Sequence, residues 1–279
     1  MMKTLKNHPV ITFYILAFVL SWCIKIPVAI SDTNNVLFRF LPSLFPATAA
    51  FITAAIIAGK RGVGDLLRQA GRVRVSPIWY LIALVGAMAL NLLAVALAVP
   101  FGVPFPSFAF VGIRLLPAFL LVTFFTLGEE LGWRGFALPR LQDRFNPLVA
   151  SLIVGLLWWS WHLPEALGLS LQQFISLGAR DLVQDLAISI LITWMYNGTG
   201  RSVLLAALFH VSTGLLQEFL AIPNRPYVTV VDILFSVILC IAAVTVLLLT
   251  RRAPLAYQQS ETPGTIAPLA NNSSGPAIG

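Results

Sequence analysis

Charge is scarce in this sequence of 279 residues, since only 10% of them are Asp, Glu, Lys or Arg, whereas 58% are apolar. A water-soluble globule of this length needs more polar surface than that to cover its core. The shortage of charge therefore excludes an ordinary soluble domain and favours a protein whose solvent is lipid.

Cysteine and histidine are also rare. The two cysteines, Cys23 and Cys240, both lie inside apolar runs, which favours packing roles over a disulfide framework. Of the three histidines, His8 lies near the N-terminus, but His162 and His210 lie inside apolar runs. Titratable groups in such runs are candidates for a functional site.

Long apolar runs are what the sequence has in abundance. A membrane-spanning helix needs about 20 mostly apolar residues. Runs near that length occupy residues 10–30, 41–58, 77–99, 182–196, 202–220 and 233–250. Two more runs, 115–128 and 147–161, reach the required length only if the polar residues that end them also lie in the membrane. We count both as spans and predict an all-α, polytopic membrane bundle of about eight transmembrane helices.

The net charge of +7 reflects an asymmetric placement of Lys and Arg between the two sides of the predicted bundle. One side has thirteen of them: Lys3, Lys6, Lys60, Arg61, Arg68, Arg72, Arg74, Arg134, Arg140, Arg144, Arg201, Arg251 and Arg252. The other side has Arg39, Arg114, Arg180 and Arg225, with Lys25 near the end of the first helix. This positive-inside pattern predicts an integral protein of the cell membrane with both termini cytoplasmic. The basic residues between 60 and 74 then contact lipid headgroups, and no nucleic acid partner is expected.

Composition also predicts the domain organisation. Residues 1–252 form one membrane domain, and 253–279, rich in Pro, Gly, Ser, Asn and Thr, form a disordered cytoplasmic tail. Within the longest predicted loop, 60–76, residues 65–69 can make a short interfacial helix. The first helix is predicted to be a retained signal anchor.

Two adjacent glutamates follow the fourth apolar run. Charges near the middle of a bilayer cost at least about 2.5 to 3.5 kcal/mol each, so Glu129 and Glu130 need partners or a water-filled cavity. Glu130 and Arg134 are four residues apart, the spacing of a helical ion pair. We infer that Arg134 neutralises Glu130 and that Glu129 faces a cavity as a general base. The structural alternative is an ordinary interfacial turn after Gly128. For 134–144 we expect a helix that projects into the cytosol.

His162 ends an aromatic run in the fifth predicted helix, one turn after Trp158, which can pack against its imidazole. A single histidine at such a place is more often structural than catalytic. However, the turn between the fourth and fifth helices falls near Asn146 and Pro147, midway between Glu129 and His162. In an antiparallel hairpin these two residues come level, which favours a joint site.

His210 lies in the middle of the seventh predicted helix, where no loop explains it. Thr213 and Gln217 lie on the same face and offer a hydroxyl and an amide. Each of Glu129, His162 and His210 is costly to bury alone, and lipid offers no partner. We therefore predict that the three converge on one water-accessible cavity as an intramembrane hydrolytic site.

The pattern Glu129-Glu130-x-x-x-Arg134, followed by Trp158-x-x-x-His162 and by His210 in a later helix, resembles the CPBP family of intramembrane proteases. That family includes type II CAAX prenyl endopeptidases and Abi-like bacterial proteins linked to bacteriocin processing and immunity. The resemblance covers about 115–220. The sequence departs from the family where His-x-x-x-Asn is usual, because Gly214 replaces the Asn and leaves Thr213 or Gln217 to supply a donor.

The resemblance implies an intramembrane endopeptidase that cleaves a membrane-associated peptide or protein, of CAAX or leader-peptide type. Glu129, with Glu130 beside it, and His162 activate a water, and His210 stabilises the oxyanion. Residue type alone also permits a zinc site of Glu and two His, but we expect neither a metal nor another cofactor. Two other functions stay open: an inactive binding or immunity scaffold, favoured by Gly214, and a proton-coupled transporter.

Overall fold

The computed structural model describes residues 7–31, 35–103, 112–219 and 229–250, and this part of the chain contains helices and no strand. Its α-helices are α1 Pro9–Ser31, α2 Val36–Phe40, α3 Phe45–Ala70, α4 Pro77–Leu81, α5 Ala87–Ala98, α6 Gly112–Glu130, α7 Leu138–Gln142, α8 Pro147–His162, α9 Leu171–Gly198, α10 Val203–Phe219 and α11 Val230–Leu249. A π-helical turn joins α4 to α5, and a second joins α6 to α7. The predicted tail, 253–279, lies outside the described residues.

Six helical segments within the described ranges are long and apolar enough to cross a membrane. They are Pro9–Ser31, Leu37–Ala70, Pro77–Phe101, Leu116–Gln142, Pro147–Ala166 and Val230–Leu249. The remaining two predicted spans fall on α9, which is longer than a span but carries charged residues, and on α10, whose apolar part is the shorter Val203–Gly214. The helical membrane bundle is confirmed, and the count of eight spans stays a prediction.

Helix boundaries follow the local sequence. Asn146 accepts a hydrogen bond from the Val149 amide at 2.9 Å, and Pro147 takes the first helical position, as predicted for the turn between α7 and α8. Ser170 with Gln173 makes a capping box at the start of α9. These caps fix where the two helices next to the site begin.

Gly59 interrupts α3. Its φ of +54° and ψ of −141° break the helix directly after Ala58, the predicted end of the second span. This left-handed φ is one that glycine adopts without steric cost. The chain continues as a helix to Ala70, which confirms the predicted short helix in this loop. The Tyr196 hydroxyl donates to Gln69 Oε1 at 2.5 Å and ties this helix to α9.

The core between α1, α3 and the segment after Glu130 is densely packed. It contains an aromatic cluster of fully or largely buried residues: Phe13, Tyr14, Trp133, Phe136 and Trp161. The rings of Trp133 and Trp161 lie 6.0 Å apart between centroids in an edge-on arrangement. A Cβ at Gly132 would lie 2.6 Å from Pro46 Cβ, so only glycine permits this approach to α3.

Candidate active site

The two glutamates end α6, and the chain continues from them as the π-helical segment Leu131–Ala137. All seven residues of this segment are buried. Single π-helical turns inside α-helices are frequent at functional sites because they change which side chains face a cavity. Arg134 is fully buried here among the neighbouring helices. Burial within the bundle gives no position relative to the membrane, so the projection of 134–144 into the cytosol stays a prediction.

Glu130 is the centre of an ion-paired group. Arg134 Nη1 donates to Glu130 Oε1 at 2.8 Å, and both side chains are 0% exposed. His210 Nδ1 lies 2.8 Å from the same oxygen and donates to it, because a carboxylate only accepts. Glu130 Oε2 is also buried and has no hydrogen-bond partner within the described residues. The predicted pair of Glu130 and Arg134 is present, and it includes His210 as a third member.

Two serines extend this group through the second terminal nitrogen of Arg134. Arg134 Nη2 donates to Ser189 Oγ at 3.2 Å, and Ser189 Oγ donates to the Ser151 carbonyl at 2.7 Å. Both serines are fully buried. They orient the guanidinium between α8 and α9. The sequence analysis missed them because a serine in an apolar helix carries no signal of its own.

Glu129 lies apart from the ion-paired group. Its side chain is 7% exposed, and Oε2 accepts a hydrogen bond from Trp158 Nε1 at 3.1 Å. No lysine, arginine or histidine within the described part of the chain forms a salt bridge with it. Glu129 and Glu130 thus differ in their partners: one is paired with a cation, and the other meets a neutral donor.

His162 lies at the end of α8 and is held by its own helix. Its Nδ1 lies 3.1 Å from the Trp158 carbonyl oxygen. A carbonyl oxygen only accepts, so Nδ1 carries the hydrogen and Nε2 is left to accept from another group. This arrangement suits an imidazole that takes a proton from water.

Trp158 brings the candidate residues together. Its ring centroid lies 5.7 Å from that of His162 and 4.7 Å from that of His210, both in edge-on arrangements. Its indole N–H bonds to Glu129, and the Arg134 guanidinium lies 5.4 Å from the ring centroid. Three of the predicted catalytic residues, Glu129, His162 and His210, thus meet around the Trp158 indole. The fourth, Glu130, is bonded to His210.

The predicted supporting residues on α10 are placed differently from one another. The Thr213 hydroxyl donates to the His210 carbonyl at 2.6 Å and therefore faces its own helix. Asn91, which the sequence analysis missed, donates to the Thr213 carbonyl at 2.9 Å from α5. A Cβ at Gly214 would meet no atom within 4 Å. The side chain of Gln217 lies outside the described part of the structure, so its role stays a prediction.

No group of three or more His, Cys, Asp or Glu side chains among the described residues is arranged to hold a metal ion. The chemistry that the residues themselves offer is that of a carboxylate and two imidazoles within a membrane-embedded bundle. Such a set can activate a water and stabilise an anion.

Comparison with known proteins identifies relatives of this chain. Residues 109–216 match the family model described as type II CAAX prenyl endopeptidase, Rce1-like. A relative from Methanococcus maripaludis, named CAAX prenyl protease 2, is 28% identical over 262 residues, which cover 85% of this chain and 94% of the relative. The matched range of the family model contains all four predicted catalytic residues.

Proposed function

We propose that this chain, which is similar to type II CAAX prenyl endopeptidases, is a member of the CPBP family and an intramembrane endopeptidase that uses a glutamate-activated water. The observation that carries this proposal is the grouping of Glu129 and both imidazoles, His162 and His210, around the Trp158 indole. Three costly polar groups in one part of an apolar bundle are best explained by a shared reaction site.

In the proposed reaction, a water lies between Glu129 and Nε2 of His162. Glu129 takes one proton of this water, while Nε2 of His162 accepts a hydrogen bond from the other, as the water oxygen attacks the carbonyl carbon of the scissile peptide bond. The tetrahedral intermediate then collapses, the C–N bond breaks, and the proton passes to the leaving amine. The products are a new carboxylate and a new amine, so the water is consumed.

His210 is proposed to stabilise the oxyanion of the tetrahedral intermediate. Its Nδ1 is engaged by Glu130, so the hydrogen bond to the oxyanion must come from Nε2–H. The imidazole then carries both protons, and its positive charge attracts the oxyanion, while the charge of Glu130 is already paired with that of Arg134. Arg134 in turn holds Glu130 in place, which gives the second glutamate a supporting role.

For the substrate, we propose a membrane-associated peptide with a prenylated CAAX terminus, because the Methanococcus maripaludis relative is named a CAAX prenyl protease. The test is to incubate the purified protein in liposomes with a farnesylated CAAX peptide and to detect the cleaved products by mass spectrometry. The same peptide without the farnesyl group separates prenyl dependence from general peptidase activity. The Glu129→Gln variant serves as the inactive control.

A leader-peptide substrate is tested separately, by comparing the membrane proteomes of cells that contain the wild-type protein or Glu129→Gln. Gly214 favours a second function, a binding or immunity scaffold without catalysis, because it lacks a side-chain amide beside His210. That alternative predicts identical products and identical membrane proteomes for the two proteins. Cleavage by the wild-type protein alone contradicts it.

The proposed domain boundary and membrane orientation are those of the sequence analysis. We propose that 1–252 is the protease domain, that 253–279 is a tail, and that both termini face the cytoplasm of a cell whose plasma membrane contains the protein. The basic residues between 60 and 74, in and after the end of α3, support this orientation.

A further inference from the structure

An ion pair between a buried lysine and an exposed glutamate joins the first helix to the end of the helix that carries His162. Lys25 in α1 is 6% exposed, and its Nζ lies 2.6 Å from Glu165 Oε1. Glu165 belongs to the 3-10 turn Leu163–Ala166, which directly follows His162. The two partners are 140 residues apart in sequence.

Two more contacts from α1 reach the residue before His162. Lys25 Nζ lies 3.2 Å from the centroid of the Trp161 ring, and Trp22 Nε1 donates to the Trp161 carbonyl at 3.1 Å. Carbonyls in the last turn of a helix often lack a partner within the helix. Here Trp22 of α1 supplies the donor to the Trp161 carbonyl. The helix end is held against α1 by this hydrogen bond, by the cation–π contact of Lys25 with Trp161 and by the ion pair of Lys25 with Glu165.

The same helix end fixes the His162 imidazole. The Trp161 ring lies edge-on to it, with centroids 4.8 Å apart, while Nδ1 bonds to the Trp158 carbonyl. A shift of Trp161 or of the following turn therefore moves the imidazole with it. Catalytic groups tolerate little displacement, since an error of about 1 Å can cost about 100-fold in rate.

The pair has little value for stability alone. A buried ion pair is often no more stabilising than apolar residues of similar size, and an ammonium group is costly to bury. Glu165 is 59% exposed, which weakens its attraction for Lys25 further. An apolar side chain at position 25 would pack in the bundle without the desolvation cost of an ammonium group. The presence of a lysine there therefore favours a role in positioning the helix end over a role in stability.

We propose that Lys25, together with Trp22 and Glu165, is a positioning residue that holds the His162 imidazole in the orientation needed to activate water. This inference rests on the proposed function. It makes α1, which lies outside the range matched by the family model, a working part of the catalytic site.

The experiment compares Lys25→Met, Glu165→Gln and the double variant with the wild-type protein in liposomes. We expect Lys25→Met to lower kcat by about 10- to 100-fold and to change KM by less than about twofold. The double variant should lose no more than Lys25→Met, because both substitutions break the same contact. Arg68→Met is the matched control, since it removes an ion pair with Asp65 on the exposed surface of α3, and its kcat should not change.

A second measurement does not depend on activity. Hydrogen–deuterium exchange of the 161–166 amides should be faster in Lys25→Met than in the wild-type protein, and unchanged in Arg68→Met. If Lys25→Met does not accumulate, Trp22→Phe carries both measurements, because it keeps an aromatic ring at this position and removes the N–H donor to Trp161.

Unchanged kcat in a folded Lys25→Met or Trp22→Phe variant overturns the inference, and so does a fall in kcat that only matches a fall in folded protein. Additive losses in the double variant also contradict it, because the two residues would then act separately. If the wild-type protein hydrolyses no peptide, the proposed function fails. The exchange measurement then tests the contacts of α1 by itself, and unchanged exchange at 161–166 in Lys25→Met shows that Lys25 does not hold this helix end.

Discussion

His210 Nδ1 lies 2.8 Å from Glu130 Oε1, the same carboxylate oxygen that accepts a hydrogen bond from Arg134. One carboxylate therefore connects two helices and balances a guanidinium that has no exposed surface. This relationship separates the two adjacent glutamates more clearly than their helical angles do, because the hydrogen bond of Glu129 within the described residues comes from the neutral donor Trp158.

Glu130→Gln should destabilise the protein. The substitution leaves Arg134 buried without a countercharge, which costs about 3–5 kcal/mol in free energy of unfolding. Thermal unfolding in detergent measures the loss, and hydrolysis should fall with it. Asp65→Asn is the control, since its partner Arg68 is exposed and the expected change is within about 0.5 kcal/mol. Wild-type stability of Glu130→Gln would contradict the structural role of the pair.

Glu129→Gln should leave the fold intact and abolish most activity. The amide oxygen of Gln can still accept from Trp158 Nε1, so the local packing persists. The loss of a general base is expected to lower kcat by about 100- to 10,000-fold. Unfolding and peptide cleavage are measured on the same preparation. Equal loss of folding in the variants at 129 and 130 would refute the division of roles between the two glutamates.

Gly214→Asn should raise the rate of hydrolysis. A Cβ at this position meets no atom within 4 Å, so the side chain fits, and it places an amide one turn after His210. A donor to the oxyanion is worth about 100- to 1,000-fold in kcat at sites where it acts directly, so even a tenfold rise is informative. Gly214→Ala adds the Cβ without the amide and should not raise kcat. An equal effect of both variants would show that the amide is not the cause.

Gly132→Ala should destabilise the protein. Its Cβ would lie 2.6 Å from Pro46 Cβ and 2.8 Å from the Pro46 backbone, so the segment after Glu130 must move away from α3. Overpacking of this kind costs about 1–3 kcal/mol. Gly64→Ala is the matched control, because its Cβ meets nothing within 4 Å and alanine favours a helix. Similar unfolding temperatures of the two variants would argue against close packing at Gly132.

A reporter fused after Arg252 should be cytoplasmic. The reason is the excess of Lys and Arg at the predicted cytoplasmic ends, which holds even with Arg134 removed from the count. A reporter fused after residue 7 should give the same result. An extracytoplasmic signal at one terminus alone would require an odd number of spans, and the orientation would need revision.

Several features could be predicted because they depend on neighbours in the sequence. The Glu130–Arg134 pair follows from four-residue spacing, the turn at Asn146 and Pro147 from the end of an apolar run, and the end of the second run at residue 58 from the charged residues that follow it. Membrane character follows from the length and low charge of the apolar runs. None of these inferences needs knowledge of which helices touch.

The contacts between helices could not be predicted in the same way. The sequence analysis assigned His210 a separate role and did not foresee its bond to Glu130, 80 residues away. It also did not foresee the π-helical turn after Glu130, in which Arg134 is buried. Pairs such as Lys25 with Glu165 depend on the rotation and depth of two helices, and apolar sequences constrain both only weakly.

The sequence by itself determined that this chain is a helical membrane protein with a few costly polar groups, because periodicity, length and charge act locally and lipid penalises every unpaired charge. Only the tertiary structure decided how those groups are shared: which oxygen of Glu130 binds His210, which indole meets Glu129, and which helix holds the end of α8. The physical reason is that side-chain direction in a bundle is set by close packing between helices, and packing is a property of surfaces that are distant in the chain.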